Sequence, residues 1–330
     1  MALTLEEAKV GYADKVEQNV IDEFRRSSIL LDKLTFDDTI SPTGGSNLVY
    51  GYQRLETPST AAVRQINSEY SPNEAKRTKC TASPVILGGS FQIDRVIAQT
   101  SGAINEMDFQ IKEKTKAGAN YFHNLVINGT SASTGTGYVP NTFDGLKKIL
   151  SGKSTEMKTD IDISTSALLD SNYNALLDEL DTFIALLAAK PDVLMMNSKM
   201  LTKVKSAARR AGYYDRNKDD FGRTVETYNG IILMDAGQYY NGSTTEDVVS
   251  TSTPDSDTYG TTDIYAAKLG LDAFHGISVD GSKMLKTYLP DLQAPGAVKT
   301  GEVELIAGAV LKNSKMAGVL KGIKLLGKTA

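Results

Sequence analysis

Apolar positions recur at helical spacing through "INEMDFQIKEKTKAGANYFHNLVING", residues 104–129. Ile104, Met107, Ile111, Thr115, Gly118, Phe122 and Leu125 form one stripe, and the opposite face carries Lys and Glu. Ser101 suits the N-cap and Asn128-Gly129 the end, since Gly is favoured just past a helix. The pattern predicts a rod of ~35 Å at 1.5 Å per residue. A second helix is predicted over 171–189, where Leu176, Leu177, Leu180, Phe183, Ile184 and Leu187 make a broad apolar face that Lys190-Pro191 ends. A third runs from a Ser198 cap through Leu201, Val204 and Ala208 to Gly212. The apolar runs "DVLMMN" and "GIILMD" flank it and read as buried strands, so this stretch predicts a compact α/β unit.

Other segments have thin apolar faces. Residues 4–26 place Leu5, Ala8, Val16, Val20 and Phe24 roughly on one side of a heavily charged helix, the pattern of an arm packed on a neighbour. "NLVYGYQRLE" alternates as a strand, with Leu48, Tyr50 and Tyr52 on one face. Residues 57–75 are polar and hold two prolines, and the chain returns through "KRTKCTASPVILGGSFQIDRVIAQT", where Phe91, Ile93 and Arg95 alternate. Together they predict a long two-stranded excursion with a polar tip, and an isolated hairpin is marginal in water without a partner surface. Residues 241–262, rich in Ser, Thr and Asp, predict an exposed loop. "DIYAAKLG", "GISVDG" and "VELIAGAVLKNSKMAGVLKGIKLL" read as closing strands.

Composition narrows the function classes. Of 330 residues, 41% are hydrophobic and 23% charged, which suits a folded core. The net charge of −4 argues against a chain whose main task is gripping nucleic acid or an anionic membrane. Cys80 is the single cysteine, so neither an intrachain disulfide nor a Cys-rich zinc site is available. No apolar run reaches a membrane span and the N-terminus does not read as a secretory signal, so a cytoplasmic place of synthesis is expected. No phosphate-binding or nucleophile-elbow motif is present, and the two histidines, His123 and His275, read as structural. "DRNKDDFGRTVE" imitates a calcium loop, with Asp215, Asn217, Asp219 and Glu226 at ligand positions 1, 3, 5 and 12. It offers Asp220 where the sharp turn needs Gly, so no metal and no other cofactor is expected. The sequons at Asn128 and Asn241 matter only in a glycosylating pathway, and the basic "AARR" at 207–210 suits a helix C-terminus or an acidic neighbour.

The order of these parts (arm, polar hairpin, rod helix, α/β unit, terminal strands) without a catalytic set resembles the major capsid protein of tailed bacteriophages. That fold is shared with encapsulins and the herpesvirus capsid floor. The resemblance rests on the hairpin from Ser46 to about Ala82, the helix from about Ala103 to Asn128, "FDGLKKIL" at 143–150, "DVLMMNSKMLTKVKSAARRAGYY" followed by "YNGIILMD", and "ELIAGAVLKNSKMAGVLKGIKLL". It implies an α+β capsid fold: an N-terminal arm at 1–45, an extended hairpin loop at 46–82, a peripheral domain at 83–165 with spine helix 103–128, an axial domain at 166–284, and closing strands of the peripheral domain at 285–330.

The resemblance also implies a homo-oligomer of pentamers and hexamers in an icosahedral shell around double-stranded DNA, assembled in the host bacterial cytoplasm. A separate scaffolding protein, a portal and head-tail connector proteins would be partners, with no membrane and no enzymatic activity. Contacts between subunits are expected at Tyr50, Tyr52, Arg54, Arg64, Glu69 and Lys76 of the hairpin and at Lys112, Lys114 and Lys116 of the rod helix. Some members cross-link their shells through a hairpin-tip Lys. Here no Lys lies between Thr57 and Ala75, the nearest being Lys76 and Lys79, with Asn313 as a conceivable acceptor, so cross-linking is not expected. Two other readings are an encapsulin-type compartment and a metal-dependent hydrolase on the α/β unit that uses His275 or the Asp215 loop.

Overall fold

The computed structural model describes residues 29–39, 48–99, 106–131, 142–212, 215–218, 224–279 and 284–328. The predicted arm helix over 4–26, the Ser101 cap, Ile104 and Asp219 lie outside them. The chain opens with α1 (Ile29–Lys33) and β1 (Phe36–Asp38), then β2 (Tyr50–Thr57), β3 (Lys76–Ala82), β4 (Val85–Asp94) and α2 (Arg95–Gln99). The long helix α3 (Glu106–Asn128), α4 (Leu146–Leu150), β5 (Glu156–Lys158), α5 (Ser166–Ala185), β6 (Val193–Met196) and α6 (Ser198–Ala211) follow. Next come β7 (Asp215–Lys218), β8 (Thr224–Tyr228), β9 (Ile231–Asp235), β10 (Gln238–Tyr240), β11 (Thr245–Asp247), β12 (Gly260–Ala267) and β13 (Phe274–Ser278). The last strands are β14 (Leu285–Tyr288), β15 (Val298–Leu311) and β16 (Ala317–Leu326). No helix among the described residues is long and apolar enough to cross a membrane.

Seven strands form one mixed sheet in the order β5-β16-β12-β6-β9-β8-β7. Its centre is covered on both faces. Leu194, Met196, Ile264 and Ala266 join the core under α5 and α6, while Val193, Met195, Tyr265 and Ala267 join the core that holds α3 and α4. Burial on both faces is why "VLMM" reads as a continuous apolar run rather than an alternation. The second sheet is built around β15, which pairs with β4 along one edge and with β14 and then β13 along the other. β1 adds in parallel to β13. The ring of Phe36 lies where a side chain at Gly276 would stand, 2.4 Å from a Cβ built there, so the small residue makes room for it.

α3 links the two sheets. Ile111, Ala119, Phe122, Leu125, Val126 and Ile127 are buried in one cluster with Leu87, Phe91, Val303 and Leu305 of the second sheet and Val319 of the first. Phe122 sits between Phe36 and Phe143, with ring centroids 6.3 and 6.0 Å away. Ala119 takes the place in the stripe expected of Gly118, and Thr115 survives burial by donating its hydroxyl to the Ile111 carbonyl at 2.8 Å.

Several expectations are corrected. Arg95 does not continue the strand but begins α2. Asn197, not Ser198, caps α6: its Oδ1 accepts from the Met200 amide at 2.7 Å, and Gly212 ends the helix at φ 78°. α5 starts earlier than 171 because Thr165 caps it through the Leu168 amide. Residues 285–330 do not all close one sheet. β15 stays in the second sheet while β16 crosses into the first and pairs with β12, since its Leu320, Ile323 and Leu325 fit the core beneath α5. The 241–262 segment is not uniformly exposed. Val248 and Val249 are buried, and the Asn128 and Asn197 amides donate to their carbonyls at 2.7 and 3.2 Å, clamping the segment between the ends of two helices.

Candidate assembly surfaces

β2 and β3 pair antiparallel from Tyr50 opposite Ala82 to Thr57 opposite Lys76. Beyond that point residues 58–75 form no strand and stand in solvent, with Val63 at 100% and Ile66 at 91% exposure. Water around such side chains is released by burial at about 25 cal/mol per Å² of apolar surface, which favours contact with another surface. Within the tip, Arg64 donates to the Ser68 carbonyl at 3.1 Å and lies over the Tyr70 ring at 5.6 Å. Glu69 and Lys76 are exposed.

The hairpin is fastened at its base. Tyr50, Tyr52 and Arg54 share the partly buried face of β2, and all three engage their own chain. Tyr50 Oη donates to Asp37 Oδ2 at 2.7 Å. Arg54 donates to the carbonyls of Lys312 and Leu311 at 3.0 and 2.8 Å and lies over the Tyr52 ring. The Tyr50 ring meets His275 edge-on at 5.7 Å and has Lys312 Nζ over it at 5.5 Å. Burial and the Asp37 hydrogen bond push the Tyr50 hydroxyl well above the ordinary phenol range. Burial likewise raises Tyr52, against the pull of Arg54. Sequence reasoning missed Asp37, His275 and Lys312 as parts of this fastening, because a strand-length "FHGIS" shows no sign of what lies on it.

A groove of about 560 Å³ opens beside the hairpin base, lined by Tyr52, Arg54, Asp144, Lys148, Lys153 and the end of β15 among others. Burial alone would raise Asp144, but Lys148 at 2.7 Å and the Ser131 amide and hydroxyl at 2.8 and 2.6 Å hold it below the usual carboxylate range.

On α3, Lys112 and Lys116 are exposed, while Lys114 is partly buried with its stem over Gly89 of β4. The structure therefore separates the nine expected contact residues into three places: a base bound to its own chain, an open tip, and a basic helix face.

Three residues of the calcium-like stretch fall on strands. Asp215 and Asn217 lie on β7 and Glu226 on β8, in a ladder that sets Arg216 opposite Glu226. Positions two apart on a strand are separated by roughly 6.6 Å, too stretched for a loop that wraps one ion. Glu226 instead makes an ion pair with Lys205 of α6. The basic end of α6 has an acidic neighbour: Arg210 Nε meets Asp170 of α5 at 2.6 Å.

Residues 74–232 match the family model described as SU10 major capsid protein. That stretch, just under half of the chain, is similar to a phage major capsid protein. Its fold is that of capsid and encapsulin shells. It aligns with the holo-SrpI encapsulin complex of Synechococcus elongatus PCC 7942 at TM-score 0.62 and 12% identity, covering 91% of this chain and 89% of that one. The capsid of Myoviridae phage XM1 aligns at 0.53 and 12%, over 86% and 89%. A chain of Mycobacterium phage Ogopogo aligns at 0.54 and 12%, over 89% and 91%. No curated protein matches the chain. A major capsid protein is a structural subunit of a particle's shell, and the matched stretch and the shared fold make this chain similar to one.

Proposed function

We propose that the chain assembles as pentamers and hexamers into a closed icosahedral shell around double-stranded DNA, built in the bacterial cytoplasm and acting without catalysis. The hairpin supports this reading: it is anchored at its base, has no core of its own, and carries Val63 and Ile66 into water. The seven-stranded sheet with α5 and α6 acts as the axial unit around which rings close, and the β15 sheet with α3 as the peripheral unit. A single surface repeated by rotation closes such rings. Arg64, Glu69, Lys76, Lys112 and Lys116 meet neighbouring copies. A scaffolding protein, a portal and head-tail connectors complete the head. The net charge of −4 suits a lumen that holds DNA loosely, so DNA binding by the shell should show only a shallow salt dependence.

The first test is negative-stain electron microscopy of the expressed chain beside its mass by size exclusion, alone and with candidate scaffolding proteins. Rings of five or six or closed shells are expected; a monomer under every condition counts against assembly. The encapsulin reading draws on the SrpI alignment, whose TM-score exceeds those of the phage capsids named above. Shells purified from the native source should carry nuclease-protected DNA, and a protein cargo in its place would favour the compartment.

A further inference from the structure

His275 stands out among the buried polar groups. It lies on β13 at 0% exposure, and neither ring nitrogen has a partner at good hydrogen-bond geometry, the Ala273 backbone offering only a looser contact. Its strand neighbours are apolar: Phe274 and Ile277 are buried at 1% and 0%. What closes the site is the hairpin, through the edge-on Tyr50 ring at 5.7 Å. Tyr50 belongs to a hairpin without a core of its own, so the lid over this imidazole is held only by the contacts at the hairpin base.

We propose that the base of the hairpin is a proton-operated latch, in which a proton entering His275 displaces Tyr50 and frees the hairpin from its own sheet. A neutral imidazole tolerates an apolar pocket, whereas a charged one loses its hydration, which the Ala273 backbone and two nearby carboxylates offset only in part. The charged neighbours come from every element around it. Lys312, just past β15, repels a second positive charge and also sits over the Tyr50 ring. Asp37 of β1 and Asp272 before β13 attract the charge, but Asp37 is occupied by the Tyr50 hydroxyl at 2.7 Å. Tyr50 leaving therefore does two things at once: it admits water to the imidazolium and frees the Asp37 carboxylate to face it. Burial and Lys312 hold the ring's proton affinity below the histidine norm, which keeps the latch shut at neutral pH. The Arg54 bonds to the Leu311 and Lys312 carbonyls carry no titrating acceptor, so they act as the hinge. The proposal concerns the single chain and does not depend on the shell reading.

The test is hydrogen exchange on the full chain at about pH 7.5 and about pH 5, corrected for intrinsic rates, in the wild type and in His275→Phe. Amides of β2 and β3 should exchange about tenfold faster at the lower pH in the wild type, the change that one pKa unit of coupling produces. In His275→Phe the two conditions should agree. Unchanged protection in the wild type, or equal opening in the variant, overturns the latch. If His275→Phe fails to fold, a side-chain NMR titration of the wild type decides. The His275 and Tyr50 ring signals should move with one shared midpoint below about 6.5. A Tyr50 signal indifferent to the His275 titration, or a His275 that takes no proton before global unfolding, overturns the proposal.

Discussion

The hairpin over 50–82 and the β6–α6–β9 unit are both short-range structures, yet they treat apolar residues in opposite ways. In the second, Val193, Leu194, Met196, Met200, Val204 and Ile231 are all at 0% exposure. In the first, Leu55, Val63, Ile66 and Tyr70 are exposed at 58% or more, and the attachment is polar or aromatic: Tyr50 to Asp37, Arg54 to two carbonyls. One region is stable through its own core and the other leaves its apolar side chains in water. The proposed assembly would use both, a rigid body and a reaching element whose apolar surface meets a neighbour.

Phe183→Ala should break the comparison hardest. The ring is at 0% exposure beneath β16, and its loss should destabilise the chain by about 3–5 kcal/mol in denaturant unfolding. A cost below about 1 kcal/mol would mean that α5 is not packed as described. Asn197→Ala comes next. It removes the α6 cap and donors to Val249 O and to the Thr251 and Thr262 hydroxyls. The expected loss is about 2–3 kcal/mol.

Acid should act on the body as well. Burial pushes His123 down to about 4, so the unfolded chain, with its ordinary 6.5, takes up a proton first. The contribution to stability is full above 6.5 and is lost as pH falls toward 4. Melting temperatures across that window should fall less steeply in His123→Gln. The smallest effect on the free chain should come from Val63→Ser with Ile66→Ser, within about 0.5 kcal/mol because both side chains already face water. The same pair should reduce the yield of shells by size exclusion. A tip variant that destabilises the monomer would sink the contrast between the two regions.

Much of the fold was legible because periodicity reports burial. The α3 stripe, the α5 face and the runs "VLMM" and "IILMD" each record a neighbour that had to be apolar. The Gly212 stop was readable from local backbone chemistry, and the polar hairpin tip from its two prolines and few large apolar residues. The departures came where two cores compete for one segment. Val248 and Val249 sit in a Ser/Thr-rich stretch that looks like loop, and only the Asn128 and Asn197 amides, 120 and 52 residues away in sequence, explain their burial. β16 has the same alternation whichever sheet receives it, so its crossing to β12 was not written in its own pattern.

Local spacing by itself therefore determined the main helices and buried strands, and the order of the parts pointed to the capsid fold that the structure shares. Only the tertiary structure decided that Tyr50, Tyr52 and Arg54 bind their own chain before any neighbour. It alone brought His275, Lys312 and Asp37 to the hairpin base and set Asp215, Asn217 and Glu226 on paired strands. The physical reason is the range of the forces. Periodicity and capping act over a few residues, whereas a hydrogen bond such as Arg54 to Leu311 spans 257 residues of sequence and exists only once the two sheets are in place.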